Sequence, residues 1–154
     1  MEKFERPLHL RWSDLDPINH VRHSVYYDMA AQVRTELFLE NDIRLQEMAE
    51  RGFGPVLFEE KATFRRELRY GDPLIMNAAV LSLRKDYSRF RFLHEIWREE
   101  ERCATVEVYG AWIDLNKRKL TIPPEDFLAK LRELPLAPDF RWEEKSPDSQ
   151  GSGK

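Results

Sequence analysis

Apolar and polar residues alternate in several stretches of the chain and follow a helical stripe in one. Leu8, Leu10 and Trp12 alternate with His9, Arg11 and Ser13. That is the period-2 pattern of a strand with one buried face, and it predicts a first strand ending near Asp14. Asp16-Pro17 and Asn19 then supply turn chemistry, and Ser24 is placed as the N-cap of a helix. Beyond it, Tyr26, Met29, Ala30, Val33 and Leu37 share one face of a helix of roughly four turns. A stripe of this length in a chain of 154 residues predicts a helix lying across a sheet and filling its concave face.

A second, weaker helical stretch covers Arg44 to Arg51, and Gly52, Gly54 and Pro55 punctuate a loop. From there strand follows strand. Val56, Phe58, Ala62 and Phe64 mark one. Leu74, Met76, Ala78 and Val80 mark another after a Tyr70-Gly71-Asp72-Pro73 turn, and Phe90, Phe92, His94 and Ile96 mark the next. The last runs from Cys103 to Asp114 and is read as an edge that needs covering. Hairpin connections make the sheet largely antiparallel. Pro123-Pro124-Glu125 opens a short helix near Phe127 to Leu131. The expectation is therefore an α+β fold, one long central helix wrapped by a curved, five-stranded antiparallel sheet. It occupies residues 1–135 as a single domain, with residues 136–154 as a tail disordered from about 146.

Two polar residues break the pattern. Strict alternation would place Glu60 on the face of Val56, Phe58, Ala62 and Phe64, so either a β-bulge near Glu59-Glu60 flips the register or the carboxylate serves a pocket. His94 shares its face with Phe90, Phe92 and Ile96 and is read as a satisfied, partly buried histidine.

Composition narrows the function classes. With 42% hydrophobic residues the chain is long enough for one core. The net charge of -3 is spread through mixed signs, which argues against a nucleic-acid arm or a membrane patch. There is no apolar run of the ~20 residues that a membrane span needs. Cys103 is the one cysteine, which excludes an intrachain disulfide and a cysteine-based zinc site and fits a reducing, cytoplasmic setting.

The segment from Trp12 to Tyr27 gathers two carboxylates, Asp14 and Asp16, and two histidines, His20 and His23. Read on their own, the aspartates fit turn and capping roles and His20 a structural hydrogen bond. Two histidines three residues apart could contribute to zinc, but no third ligand stands at a fixed spacing, so no metal is expected. Arg11-Trp-Ser-Asp-Leu-Asp-Pro-Ile-Asn-His-Val, a Tyr on the following helix and the later Arg69-Tyr-Gly-Asp-Pro-Leu resemble the hotdog-fold acyl-CoA thioesterases of the 4-hydroxybenzoyl-CoA thioesterase type. The likeness covers roughly Arg6 to Leu131. Two departures stand out, Ile18-Asn19 where many members carry glycine and Arg22-His23 where many carry Asn-Asn.

The resemblance implies hydrolysis of an acyl-CoA or acyl-carrier-protein thioester without a cofactor. It implies Asp16 as the catalytic carboxylate, nucleophile or general base, with His20 and His23 as helpers, while Asp14 stays structural. It also implies a homodimer, in many members a tetramer, with the site formed between two subunits. Such chemistry needs an oxyanion site, and backbone N–H groups at Val25, Tyr26 and Tyr27 at a helix start would supply one. A thiolate leaves readily, since a thiol titrates near ~8.5. Candidate substrate contacts are those three residues, Glu60, and Ser88 and Arg89 at a strand entry; Arg65, Arg66, Arg69 and the basic residues from Arg84 to Arg91 could meet CoA phosphates at a rim. The competing readings are a hotdog protein that binds acyl thioesters without catalysis, and a hotdog hydratase or dehydratase, whose Asp and His stand at a different spacing.

Overall fold

The computed structural model describes residues 3–144. In chain order the elements are β1 (Phe4–Pro7), α1 (Val25–Glu40), α2 (Leu45–Glu50), β2 (Phe53–Phe64), β3 (Leu74–Arg84), β4 (Arg89–Arg98), β5 (Glu101–Asp114), β6 (Lys119–Leu120), α3 (Glu125–Leu131) and β7 (Leu136–Glu143). A single 3-10 turn, Trp12–Asp14, precedes α1. The sheet follows the path β1-β3-β4-β5-β2, the five strands expected, and gains β6 beside β5 and β7 beside β3. All pairings are antiparallel except β3–β7. No helix among the described residues is long and apolar enough to cross a membrane.

α1 forms where its periodicity predicts, burying Val25, Tyr26, Ala30, Val33, Leu37 and Phe38 against the sheet. The inner sheet face answers with Met76, Val80, Phe92, Ile96, Val106 and Val108, all at or below 1% exposure. Such burial is the main source of stability, at about 25 cal/mol per Å² of apolar surface removed from water. Trp112 closes one end of this core against Phe90 and Phe127, with ring centroids 5.0 and 4.9 Å away.

Four expectations need correction. The first strand lies at Phe4–Pro7 and not at Leu8–Trp12: Leu8 extends its pairing by one hydrogen bond to Leu74, but Trp12 has left the sheet and is 84% exposed. Residues 136–143, assigned to a tail, form β7, whose backbone pairs with Val80 to Arg84 and is anchored by the buried Ala137. The segment expected to be disordered from about 146 lies outside the described residues. β5 sits inside the sheet between β4 and β2, so the free edge belongs to β2. Finally, the bulge falls at Phe58, between Leu57 and Glu59. It turns Phe58 outward onto Tyr109 and leaves Glu60, Ala62 and Phe64 together on the helix-facing side, opposite Val108, Val106 and Ala104. Glu60 escapes burial because its strand is the edge.

Candidate active site

Asp16 opens a tight turn that carries the chain from the 3-10 segment to α1. Its Oδ1 accepts hydrogen bonds from the backbone N–H of Ile18 and of His20, each at 3.0 Å, while its own N–H donates to the His20 carbonyl at 2.7 Å. This is an Asx turn, and it explains why Asn19 tolerates φ +63°, a left-handed conformation that asparagine adopts more readily than most residues. Oδ1 is committed to the backbone. Oδ2 has no hydrogen-bond partner among the described residues, and the side chain lines a pocket of about 340 Å³.

A second chain segment completes that pocket. The connection from β2 to β3 lies antiparallel over the turn, through a bridge between His20 and Arg69 and a 3.0 Å bond from Val21 N–H to the Leu68 carbonyl. It brings Arg65, Arg66 and Glu67 to the wall facing Asp16. The Glu67 Oε2 lies 3.0 Å from His20 Nε2 and 3.6 Å from Arg69 Nη2. That contact sets the proton on Nε2 and fixes the ring plane of His20. The sequence offered no sign of Glu67. Its partner stands 47 positions earlier, and nothing local marks the residue.

The start of α1 forms the third wall. His23 reaches the pocket from the exposed side, and Tyr26 is buried in it with its ring edge-on to Phe64, centroids 4.8 Å apart. Burial, with smaller contributions from Cys103 and Glu67, pushes the Tyr26 phenol up to about 12, so its O–H stays a donor at neutral pH. Ser24 occupies the N-cap position, yet its hydroxyl makes no capping bond, and the helix start keeps its donor character.

Asp14 belongs to a different environment. It is buried, and Arg11 grips it through Nη2 at 2.8 Å and backbone N–H at 2.9 Å, which holds its carboxyl below the usual range. Its backbone carbonyl accepts from Arg22 N–H at 2.8 Å. These bonds tie Asp14 into the turn, and it does not line the pocket that holds Asp16.

The fold does not bring every expected residue here. The Val25 N–H is spent on the Arg22 carbonyl at 3.0 Å, and its side chain faces a separate groove with Leu8 and Arg11. Tyr27 packs half-buried against the core and does not line the pocket. Glu60 sits further along β2. Ser88 and Arg89 stand at the far end of β4, where Ser88 hydrogen-bonds Asp86 at 2.6 Å and Arg89 donates to the Tyr109 hydroxyl. In one chain they have no part in this pocket. Among the described residues no group of three or more His, Cys, Asp or Glu is placed to hold a metal ion.

Comparison with known proteins agrees with this architecture. In fold the chain is similar to a 1,4-dihydroxy-2-naphthoyl-CoA thioesterase from Synechocystis, at 19% identity over 86% of this chain and 97% of that one, with a TM-score of 0.76. It is similar to a Staphylococcus aureus protein crystallised in complex with CoA, at 19% identity over 98% and 93% of the two chains, TM-score 0.78. A DHNA-CoA thioesterase from Staphylococcus aureus matches at 13% identity over 86% and 91%, TM-score 0.76. The fold is thus the hotdog fold. The family model of the thioesterase-like superfamily matches residues 10–131, a span that contains the Asp16 turn, α1 and every strand from β2 to β6, and the chain belongs to that superfamily.

Proposed function

We propose that the protein hydrolyses acyl-CoA thioesters, with Asp16 as the reacting carboxylate. The observation that carries this reading is the division of labour within one side chain: Oδ1 holds the turn while Oδ2 stands without a partner in a pocket walled by His20, His23 and Tyr26. Oδ2 either attacks the thioester carbon or removes a proton from the water that attacks it. In the first route a mixed anhydride forms, the C–S pair leaves on sulfur as thiolate, and water then cleaves the anhydride. In the second, the proton taken by Oδ2 passes to the departing thiolate. Both end in free acid and thiol.

The rest of the pocket supports that step. The Tyr26 O–H and the α1 first-turn amides beyond Val25 supply donors for the oxyanion. Glu67 keeps the His20 imidazole oriented beside the turn. Arg65 and Arg66 on the wall, with Arg69 near it, give cations for CoA phosphates. The structural relatives include a 1,4-dihydroxy-2-naphthoyl-CoA thioesterase, a DHNA-CoA thioesterase and a protein in complex with CoA, which favours CoA over a carrier protein. The exposed β2 edge, with Glu59, Glu60 and Lys61 at its centre, is the strand on which a second copy would pair to form the homodimer.

Thiol release from a panel of acyl-CoAs of graded length, plus a benzoyl-type thioester, tests the activity. Release from at least one, first order in enzyme, is expected. Binding of acyl-CoA without release from any would establish the non-catalytic binding reading instead.

A further inference from the structure

His20 is held twice, on its main chain and on its ring. Its N–H donates to Asp16 Oδ1 at 3.0 Å and its carbonyl accepts from the Asp16 N–H at 2.7 Å, so the root of the imidazole is fixed against the turn that presents Oδ2. On the ring, Nε2 lies 3.0 Å from Glu67 Oε2, and the carboxylate charge keeps the proton on that nitrogen. Nδ1 then carries the lone pair. It has no hydrogen-bond partner among the described residues and stands open to solvent, and the ring lines the Asp16 pocket. His23 lines the same pocket, but among the described residues neither of its nitrogens has a partner to set a tautomer.

The two routes open to Oδ2 make different demands on these neighbours. If Oδ2 is the base that activates water, one proton acceptor suffices and the imidazole has no task. If Oδ2 attacks the thioester carbon, the anhydride that forms takes Asp16 out of use as a base: Oδ2 is acylated, and Oδ1 stays bonded to the N–H groups of Ile18 and His20. The water that cleaves the anhydride then needs a second acceptor held beside Asp16. Among the pocket residues, His20 alone combines a free ring nitrogen, a carboxylate at the opposite nitrogen and backbone bonds to Asp16 itself.

We propose that Glu67 and His20 form a dyad that serves this second half-reaction. Nδ1 takes a proton from water as the water oxygen bonds to the acyl carbon. The bond from that carbon to Asp16 Oδ2 breaks, and its electron pair returns to the carboxylate. The imidazolium stands beside Glu67, whose charge offsets it, and releases its proton to solvent. Glu67 touches no reacting atom and is a positioning residue, itself held by Arg69 Nη2 at 3.6 Å. This inference rests on the thioesterase reading and assigns Asp16 as the nucleophile. With its side chain 59% exposed, Glu67 adds little to stability through this pair, so its variants keep the fold.

The test is stopped-flow thiol release on the acyl-CoA that the wild type turns over fastest. His20→Ala is expected to lose about 10²- to 10⁴-fold in steady-state kcat and to keep a first-turnover burst of one thiol per active site, since anhydride formation does not use the imidazole. Glu67→Ala should lower kcat about 10- to 100-fold with KM unchanged, and Glu67→Gln, which keeps an oxygen beside Nε2, should lose less. In the His20→Ala background, Glu67→Ala should change nothing further, because it acts only through the imidazole. The proposal is overturned by the absence of a burst in His20→Ala, by a Glu67→Ala effect confined to KM, or by a further loss in the double variant. A wild type that releases thiol from no acyl-CoA removes the thioesterase reading and this one with it. A wild type that does so at a rate Glu67→Ala matches removes this one alone.

Discussion

Asp16 has two jobs on two oxygens, and two substitutions pull them apart. Asn keeps an acceptor at Oδ1, so the bonds from Ile18 and His20 persist; Ala removes both. Each bond contributes about 1 kcal/mol net in a half-buried turn. Asp16→Ala should therefore lose about 2 kcal/mol in urea unfolding, with Asn19 no longer held at φ +63°, while Asp16→Asn should stay within about 0.5 kcal/mol of wild type. The catalytic loss is expected to be equal in both, about 10²- to 10⁴-fold in kcat, because neither side chain is a base or a nucleophile. The assay is thiol release on the best panel substrate, run beside urea titrations of the same preparations. If Asp16→Asn keeps more than a tenth of wild-type kcat, the carboxylate is not the reacting group. If Asp16→Ala unfolds at the same urea concentration as Asp16→Asn, the turn does not depend on Oδ1.

Tyr26→Phe keeps the ring on Phe64 and deletes the buried O–H; kcat should fall about 10²-fold or more with KM little changed, and an unchanged kcat would remove Tyr26 from the oxyanion site. Gly110→Ala would set a Cβ 2.3 Å from the Val56 carbonyl and 2.8 Å from the Phe90 ring, so β2 must shift off β5. A loss of about 2 kcal/mol or more is expected in urea, and a change within 0.5 kcal/mol would contradict the packing. His94 titrates at about 3 when folded against an ordinary 6.5, so below pH 6.5 the unfolded chain binds a proton that the folded chain refuses. Stability from this group is thus complete above pH 6.5 and is lost as pH falls toward 3, at about 1.4 kcal/mol per unit. His94→Gln retains a donor for the Asn77 carbonyl, 3.0 Å from Nδ1, and an acceptor for the Arg34 guanidinium, 2.9 Å from Nε2, but cannot titrate; wild type should lose stability faster than this variant between pH 6 and 4.5, and parallel curves would refute a neutral buried ring.

What could be read from the chain divides along sequence distance. α1 and the interior strands were legible because burial on one face imposes a period of 3.6 or 2 on neighbouring residues, and Phe90 to Ile96 or Tyr26 to Leu37 display it without ambiguity. Asp16 was legible for a similar reason, since its turn partners Ile18 and His20 lie within four residues. Leu8 to Trp12 misled, because their alternation is that of a chain leaving a sheet whose pairing ended at Pro7 and Leu8. β7 was hidden because Pro138 interrupts its alternation and only Ala137 is fully buried, while Asp139 and Arg141 face water and Glu143 pairs with Arg91. Glu67 and Arg34 could not be found at all by local reading. Glu67 matters through His20, and Arg34 through His94, 60 positions away, although on the helix it occupies the i+4 place after Ala30 where an apolar residue belongs. A charged residue on the buried stripe was itself the signal. Period alone treats such a residue as noise, whereas the cost of burying a guanidinium makes it the position on the helix least explained by stability and therefore the first to examine for a buried acceptor, which His94 Nε2 supplies.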